Sequence, residues 1–398
     1  MSALAEKWKL DPKRYAVLYG EDGVPPARVA FEASVGIWAV YGYDEVVAAG
    51  TNPAVFSANT GRLIPERREF DEGSIDSSDP PEHTALRKII MHAFTPRAVE
   101  DLMPGVHTVV GDLLDRVDGE KSFDLISALA YPLPVTVIAN LLGVPQSDFA
   151  MVSGWVDKML SITTEFSVGE REASVDKEIS DAMDQVRNIS DYLKVHAAER
   201  RKRPGNDLVS RLVEAEIDGE RMSDNAVANF ANVMLVAGHV TTTLLISNTV
   251  LCLDAYPDIA KRVQADRALV PGLLEETLRF MTPISALVRV TNVETEIGGV
   301  TIPADQLVGL MMSAANRDKR VFSDPHTFDP TREPNAHLAF GRGVHYCIGA
   351  NMARREARIA MNALFDRFPK LRCDPDNPPT FMSNPNLNGA ARLPVRVD

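Results

Sequence analysis

Apolar residues recur at intervals of three and four along most of this 398-residue chain, a spacing that predicts helices packed on one face. Two stretches differ. Val29–Val40 holds short strand-like runs, and Leu287–Ile302 alternates apolar and polar residues around Gly298-Gly299, as in a β-hairpin. The pattern therefore predicts a mainly α protein with a smaller β portion. The predicted helices are Tyr43–Ala49, Ala98–Arg116, Pro134–Leu142, Ser147–Leu160, Val175–Arg201, Asp207–Ile217, Asp224–Cys252, Asp258–Gln264 and Leu269–Phe280.

The longest predicted helix, Asp224–Cys252, is apolar enough to be compared with a membrane span. It carries Asn229, Asn232 and His239, followed by a run of three threonines, and these polar groups are costly in lipid. A helix that runs through the core of a globular protein therefore fits the composition better.

The overall composition, with 45% hydrophobic residues, is ordinary for a globular protein. No linker, repeat or charge block divides the chain, so we expect a single domain over residues 1–398. The formal net charge of −13 disfavours binding to nucleic acids and anionic membranes. The three cysteines indicate a reduced protein rather than a disulfide framework. Because Met1–Asp22 lacks an apolar signal segment, we predict a cytoplasmic protein.

The most distinctive segment is the glycine-rich run Phe340–Gly349, which presents Cys347 just before a predicted helix. Free N–H groups and the positive end of a helix dipole favour thiolate over thiol at such a place. The glycines of the run let the backbone approach a flat partner closely. One thiolate in this cradle suits an axial ligand for haem iron, whereas zinc needs three or four clustered ligands.

This run, Phe340-Gly-Arg-Gly-Val-His345-Tyr-Cys347-Ile-Gly349, resembles the cysteine-ligand signature of the cytochrome P-450 family, the haem-thiolate monooxygenases. It fills every fixed position of the family's F-G-x-G-x-H-x-C-x-G pattern. The resemblance implies a long central helix over the haem and a small β-rich subdomain. It also implies haem b as the cofactor, Cys347 as the ligand to its iron, and Phe340, Gly349 and Ala237 as further cofactor contacts.

A second segment supplies cationic partners for the haem propionates. Asp79-Pro80 suits an N-cap followed by a first helical position, which places His83 and Arg87 four residues apart on one helix face. A solvated helix face is the commoner outcome for such a pair, but the resemblance implies that both bind a propionate. It implies the same role for Arg289 and His345.

Glu276 and Arg279 match the family's E-x-x-R pair, whose spacing lets a carboxylate and a guanidinium meet on one helix face. Such pairs are common on exposed helices and contribute little there. The resemblance adds Arg332 as a second arginine for the same carboxylate. We therefore predict a structural role for the three residues.

The segment Ala237-Gly238-His239-Val240-Thr241-Thr242 resembles the family's oxygen-activation motif, A-G-x-[Asp/Glu]-T-[Thr/Ser]. The resemblance implies that Gly238 leaves room for dioxygen and that Thr241 guides protons. Thr241 can also bond back to the carbonyl of Ala237. Valine stands where the family has an acid and cannot relay a proton, so the usual acid–alcohol pair is absent. His239 is a possible substitute, although it projects about 100° away from Val240 on a helix.

We predict a monooxygenase that uses dioxygen and two electrons to hydroxylate or epoxidise a small, largely apolar natural product. No flavin or iron–sulfur motif is visible, so we expect a separate ferredoxin and ferredoxin reductase to supply the electrons. We expect a monomer. Two alternatives remain: a family member that desaturates its substrate or couples bonds or rings, and a haem-binding sensor or carrier without turnover.

Family position predicts where the substrate binds. The pocket should draw on the loop Asn59–Ser78 and on the region Met151–Val175. The individual side chains expected to line it are Val236, Val240, Ile284, Leu287, Phe381 and Met382.

Overall fold

The computed structural model describes residues 7–8, 25, 27–33, 35–64, 68, 70–160, 173–217 and 219–398. Helices dominate and the strands form a smaller portion, so the predicted mainly α fold is confirmed. The helices are α1 (Tyr43–Gly50), α2 (Glu82–Met91), α3 (Pro96–Asp115), α4 (Pro132–Leu142), α5 (Phe149–Leu160), α6 (Ala173–Lys202), α7 (Leu208–Glu214), α8 (Asp224–Ala255), α9 (Pro257–Ala265), α10 (Val270–Phe280), α11 (Met312–Ala315) and α12 (Ala350–Arg367).

The strands form one larger sheet and several small ones. The strands are β1 (Val29–Glu32), β2 (Ile37–Val40), β3 (Phe56–Ser57), β4 (Ser122–Asp124), β5 (Glu216–Ile217), β6 (Glu220–Arg221), β7 (Leu287–Thr291), β8 (Thr295–Ile297), β9 (Val300–Ile302), β10 (Leu307–Leu310), β11 (Arg372–Cys373), β12 (Thr380–Phe381), β13 (Ala390–Arg392) and β14 (Pro394–Arg396). The five-stranded sheet has the order β1-β2-β10-β7-β3, and β11-β14-β4 form a three-stranded sheet. The two-stranded sheets among the described residues are β5-β6, β8-β9 and β12-β13.

Helix α8 is the central element of the fold. It begins where the Ser223 hydroxyl accepts a hydrogen bond from the Ala226 N–H at 3.0 Å, which satisfies one free donor at the helix start. It packs against α4, α6, α10 and α12. The helix is long and apolar enough to cross a membrane, but 72% of its most apolar window is buried inside the protein. It is therefore placed as a core helix, as its polar residues predict.

Two predicted elements differ from the structure. The helix predicted at Asp207–Ile217 ends at Glu214, and Ile217 lies in β5 instead. The helix predicted to begin behind an Asp79 cap begins at Glu82. The Asp79 carboxylate accepts hydrogen bonds from the Ser57 hydroxyl and from the Ala58 N–H at 2.9 Å, so it ties α2 to β3 rather than capping the helix.

The hairpin predicted around Gly298-Gly299 is present as β8-β9. Both glycines have positive φ, +60° and +81°, which is the backbone conformation that a tight two-residue hairpin turn requires. The preceding strand β7 belongs to the larger sheet, between β10 and β3. The alternation therefore predicted the strands but not their division between two sheets.

Candidate functional site

Cys347 lies in a tight loop just before α12, as the sequence predicts. Its N–H donates to the carbonyl of Phe340 at 2.8 Å, which closes the loop between the first and the eighth residue of the signature. A short 3₁₀ turn, Gly343–His345, lies between them, and α12 begins at Ala350. The loop therefore holds the sulfur at the amino-terminal end of an 18-residue helix.

The Cys347 residue is accessible to solvent, although many protein atoms surround its thiol. This burial raises the pKa of the Cys347 thiol, against the opposing effect of the backbone N–H groups of Gly349 and Ala350 and of the nearby charges of Arg87 and Arg354. The backbone N–H groups at the helix start thus act in the predicted direction, towards thiolate, and burial of the thiol opposes them. Coordination to a metal ion supplies the missing positive charge and deprotonates a thiol outright.

The glycines of the loop have different roles. A Cβ on Gly343, which has φ +73°, would lie 2.7 Å from the carbonyl oxygen of Gly50 and 3.0 Å from Cα of Thr51. Gly343 is thus required by the packing of the loop on the end of α1, in addition to the predicted approach to a flat partner. Gly341 has φ +69°, and a Cβ there would lie 3.7 Å from the carbonyl oxygen of His345.

Four basic side chains converge beside this loop, as the resemblance implies. The rings of His83 and His345 lie 4.2 Å apart between centroids. Arg87 donates to the carbonyl of Tyr346 at 2.7 Å. Arg289 on β7 is 7% exposed and forms no ion pair with a carboxylate of the described residues. Helix α2, the Cys347 loop and β7 therefore bring together groups that lie up to 262 residues apart in the chain.

Two buried atoms of this group have no hydrogen-bond partner among the described residues, Nδ1 of His83 and Nε2 of His345. Burial, reinforced by the neighbouring arginines, lowers the pKa of both imidazoles, that of His345 to about 3. Two unsatisfied imidazole nitrogens and two cationic side chains next to a cysteine sulfur fit a flat cofactor with two carboxylates. Haem has that shape: its propionates would accept from these groups, and Cys347 would bind its iron.

The predicted structural group is brought together in the core. Glu276 binds Arg279 with two hydrogen bonds of 2.7 and 2.8 Å, and both side chains are 0% exposed. Nε of Arg332 lies 3.2 Å from each oxygen of the same carboxylate. Arg279 also donates to the carbonyls of Asn316 and Pro325 at 2.9 Å. The carboxylate therefore joins α10 to the irregular segment that leads to the Cys347 loop.

A neighbouring ion pair escaped the sequence analysis. Arg354 on α12 binds both oxygens of Glu275 at 2.7 and 2.8 Å, and His337 lies 3.1 Å from one of them. The guanidinium of Arg354 also covers the ring of Phe340 at 4.4 Å from its centroid. This network fixes Phe340, the first residue of the loop, against α10 and α12. Glu275 directly precedes the E-x-x-R pair, but no sequence spacing links it to Arg354.

The oxygen-activation segment lies midway along α8. The Thr241 hydroxyl donates to the carbonyl of Ala237 at 2.7 Å, the alternative that its helical position allows. A Cβ on Gly238 would lie 3.3 Å from two atoms of Ile138 on α4. The glycine therefore lets α8 pack closely on α4, and this side of the helix offers no open space.

His239 and Val240 are both buried, at 2% and 7% exposure. The His239 ring packs edge-on against Tyr131 at 4.4 Å between centroids, and its Nε2 has no partner among the described residues. Burial lowers the pKa of His239 to about 4, so the imidazole is neutral at neutral pH. Val240 packs with Leu244 in an apolar cluster, so no acid replaces the missing one at this position.

The predicted substrate side chains separate into two sets. Val240, Ile284 and Met382 meet in one apolar cluster, completed by Leu244 and Leu387. The other three pack elsewhere: Val236 joins the core between α4, α5 and α8, Leu287 lies in the larger sheet, and Phe381 packs against the core of α3 and α12. Within the loops predicted for the pocket, residues 65–67, 69 and 161–172 lie outside the described residues.

The wall of this cluster is held by backbone hydrogen bonds between distant segments. Ser285 donates to the carbonyl of Asn386 at 2.9 Å, Ala286 donates to its side-chain oxygen at 2.7 Å, and Ile284 forms a β-bridge with Leu387. The carboxy-terminal turn therefore fixes the segment that precedes β7. Leu387, which the sequence analysis missed, is brought to the site by this pairing alone.

The chain is similar to a family model, to characterised relatives and to solved structures over most of its length. A family model described as Cytochrome P-450 matches residues 36–397. The cyclomarin C epoxidase CymV of Salinispora arenicola is 40% identical over 363 residues, 90% of this chain and 90% of the relative. The erythromycin C-12 hydroxylase of Saccharopolyspora erythraea is 40% identical over 366 residues, 90% and 89% of the two chains. The crystal structure of HmtN, a post-tailoring hydroxylase involved in himastatin biosynthesis, superimposes with a TM-score of 0.88 at 44% identity and covers 100% of both chains.

Proposed function

Because this chain belongs to the cytochrome P-450 family and is a haem-thiolate monooxygenase, we propose that it hydroxylates or epoxidises a small, largely apolar natural product of secondary metabolism. The cofactor is haem b, held through Cys347. The single observation that carries the proposal is the complete Phe340–Gly349 loop facing four converging basic side chains. The relatives named above are a cyclomarin C epoxidase, an erythromycin C-12 hydroxylase and a hydroxylase involved in himastatin biosynthesis, and these names support the same class of substrate here.

When bound, the haem supplies oxidising chemistry that no protein side chain provides. The chain's own residues have other tasks. Cys347 would bind the iron and donate electron density to it, while His83, Arg87, Arg289 and His345 would hold the propionates. Glu276 keeps the loop in place through its two arginines.

The substrate lies against the apolar cluster of Val240, Ile284 and Met382, which excludes water from the reacting bond. Protons reach this face through water, through Thr241 or through a polar group of the substrate, because Val240 carries none. Thr241 must release its bond to Ala237 to donate elsewhere, and this bond is 2.7 Å long.

Electrons come from a ferredoxin and its reductase. The enzyme acts as a cytoplasmic monomer that binds neither nucleic acid nor membrane.

A cationic surface around the Cys347 loop supports an acidic partner, although the chain carries a net charge of −13. Lys88 and Arg342 form no ion pair with a described residue. Arg354 and Arg355 bind Glu275 and Glu100, so they contribute less to this surface.

A second outcome, desaturation or oxidative bond or ring coupling, is favoured by one observation. The position of the usual acid is Val240, which is buried in an apolar cluster and cannot deliver a proton. A substrate radical that escapes oxygen transfer would give these products. Product analysis separates the two, because hydroxylation and epoxidation add one oxygen atom to the substrate and desaturation adds none.

The test is the absorption spectrum of the reduced, carbon-monoxide-bound protein. We expect the thiolate-type Soret band for the wild type and for the control Cys373→Ala, and its loss in Cys347→His. A histidine-type spectrum in folded wild-type protein would overturn the proposal. A spectral screen of apolar natural products for those that displace the iron-bound water, followed by mass analysis of the products, then identifies the substrate.

A further inference from the structure

A cavity of about 530 Å³ lies between the start of α4, helix α5, the middle of α8 and the carboxy-terminal strands. Its inner wall includes Val240 and Met382, which also belong to the apolar cluster of the proposed substrate site. Its outer edge includes Asp157, whose side chain is exposed. The cavity therefore leads from solvent to the buried face of α8, and its volume is that of a pocket for a small organic ligand.

The polar edge of this cavity is negative. Two carboxylates, Asp124 and Asp157, lie among the described residues that line it, and no lysine or arginine does. Asp124 is already occupied, since its oxygens accept from the backbone N–H groups of Ile126, Ser127 and Leu393. Asp157 accepts one hydrogen bond, from the Tyr131 hydroxyl at 2.7 Å, and forms no ion pair with a described residue. One carboxylate oxygen of Asp157 is therefore available to a ligand.

His239 supplies a second polar group deeper in the cavity. Its side chain is 2% exposed, lines the cavity and has Nε2 without a partner among the described residues. The imidazole is neutral at neutral pH because burial lowers its pKa to about 4, so it does not repel a cation. Partial burial raises the pKa of Asp157, against the opposing effect of the Tyr131 hydrogen bond, and a bound positive charge would relieve this penalty.

We propose that this cavity binds the polar end of the substrate, and that this end carries a protonated amine recognised by Asp157 and Tyr131 at the mouth. The apolar remainder of the ligand lies against Val240, Leu244 and Met382. The inference rests on the proposed function for the identity of the ligand as substrate. It adds the chemical class of the group that orients the substrate, which the apolar cluster alone does not provide.

The experiment measures binding by isothermal titration calorimetry to the full-length, haem-loaded protein. The probes are N,N-dimethylbenzylamine, a cation at neutral pH, and N,N-dimethylbenzamide, an uncharged compound of similar shape. We expect the wild type to prefer the amine, and Asp157→Asn to weaken amine binding roughly threefold to tenfold without affecting the amide. The matched control is Asp148→Asn, because Asp148 accepts from Tyr192 with the same 2.7 Å geometry outside this cavity.

A second variant, Val240→Phe, narrows the cavity at its inner wall and should weaken the binding of both probes. Equal binding of amine and amide, an amine preference that survives Asp157→Asn, or binding of both probes that is unaffected by Val240→Phe would each overturn the inference. Absorption spectra recorded during the titration exclude direct ligation of the amine to iron. If the thiolate-type spectrum and turnover are intact while the amine preference is absent, the inference fails alone. If the spectrum is wrong while the preference is present, the proposed function fails alone.

Discussion

The imidazole rings of His83 and His345 lie 4.2 Å apart, although the two residues come from α2 and from the Cys347 loop, and each has a buried nitrogen without a partner in the described protein. Buried polar groups without partners are rare, since each costs about 1–3 kcal/mol. Two such groups side by side indicate a ligand with strong acceptors at this point. In the proposed holoenzyme that ligand is a haem propionate.

The first prediction follows from this pair. His83→Ala and His345→Ala should each release haem to an excess of apomyoglobin about tenfold faster than the wild type, because a hydrogen bond to a charged acceptor is lost. His92→Ala is the control, since His92 is an exposed histidine at the end of α2. Unchanged haem release in both variants would show that the propionates lie elsewhere.

The second prediction concerns Glu276. Glu276→Gln leaves Arg279 buried without its counter-charge, and the free energy of unfolding should fall by about 3–5 kcal/mol. Asp258→Asn is the matched control, because Asp258 and Lys261 have the same spacing of three residues but are 92% and 77% exposed. Urea denaturation followed by circular dichroism measures both. Similar losses in the two variants would contradict the buried role.

The third prediction uses the pH dependence of the Glu275 network. Partial burial would raise the pKa of Glu275, but the hydrogen bonds from Arg354 and His337 lower it to about 2. A carboxylate with a lowered pKa stabilises the fold above its unfolded-state pKa, and loses this contribution as pH falls through its folded-state value. Glu275→Gln should therefore lower the free energy of unfolding by about 1–3 kcal/mol at pH 7.

The difference between Glu275→Gln and the wild type should shrink as pH falls from about 4.5 towards about 2. Glu120→Gln, at an exposed position, is the control and should show no such trend. Thermal unfolding at a series of pH values tests this. A difference that stays constant with pH would exclude Glu275 as the titrating group.

The fourth prediction concerns proton supply near Val240. We expect Thr241→Ala to reduce product formed per reduced nicotinamide by a factor that depends on the substrate, with hydroxyl- or amine-bearing substrates least affected. Where a relay is essential, its removal costs roughly 10² to 10⁴ in rate. Val240→Asp should change this coupling or the product ratio. The idea fails if Thr241→Ala reduces coupling equally on every substrate and Val240→Asp has no effect.

The fifth prediction concerns the partner surface. Lys88→Glu and Arg342→Glu should slow electron transfer from a ferredoxin and weaken its dependence on ionic strength, because steering by exposed charge is screened by salt. Lys121→Glu, at the exposed position directly before β4, is the charge-matched control. Stopped-flow reduction under carbon monoxide measures the rates. Electron-transfer rates that change neither with salt concentration nor with the two substitutions would exclude this surface as the ferredoxin-binding site.

The sequence by itself determined the helices, the hairpin at Gly298-Gly299 and the loop that carries Cys347. Each of these depends on residues close together in the chain: apolar spacing, two glycines at a turn, and fixed offsets within ten residues. The same local character explains why Glu276 and Arg279, three residues apart, could be paired in advance.

Tertiary structure decided what each side chain meets. No sequence spacing links Arg354 to Glu275, but packing of α12 on α10 brings the two side chains together, 79 residues apart in the chain. Gly343 is fixed by the end of α1, and Asp79 binds β3 instead of capping α2. The cavity beside His239 exists because Tyr131 and Asp157 come from two further helices. Contacts between distant segments depend on how whole helices and strands pack, and local sequence patterns do not determine that packing.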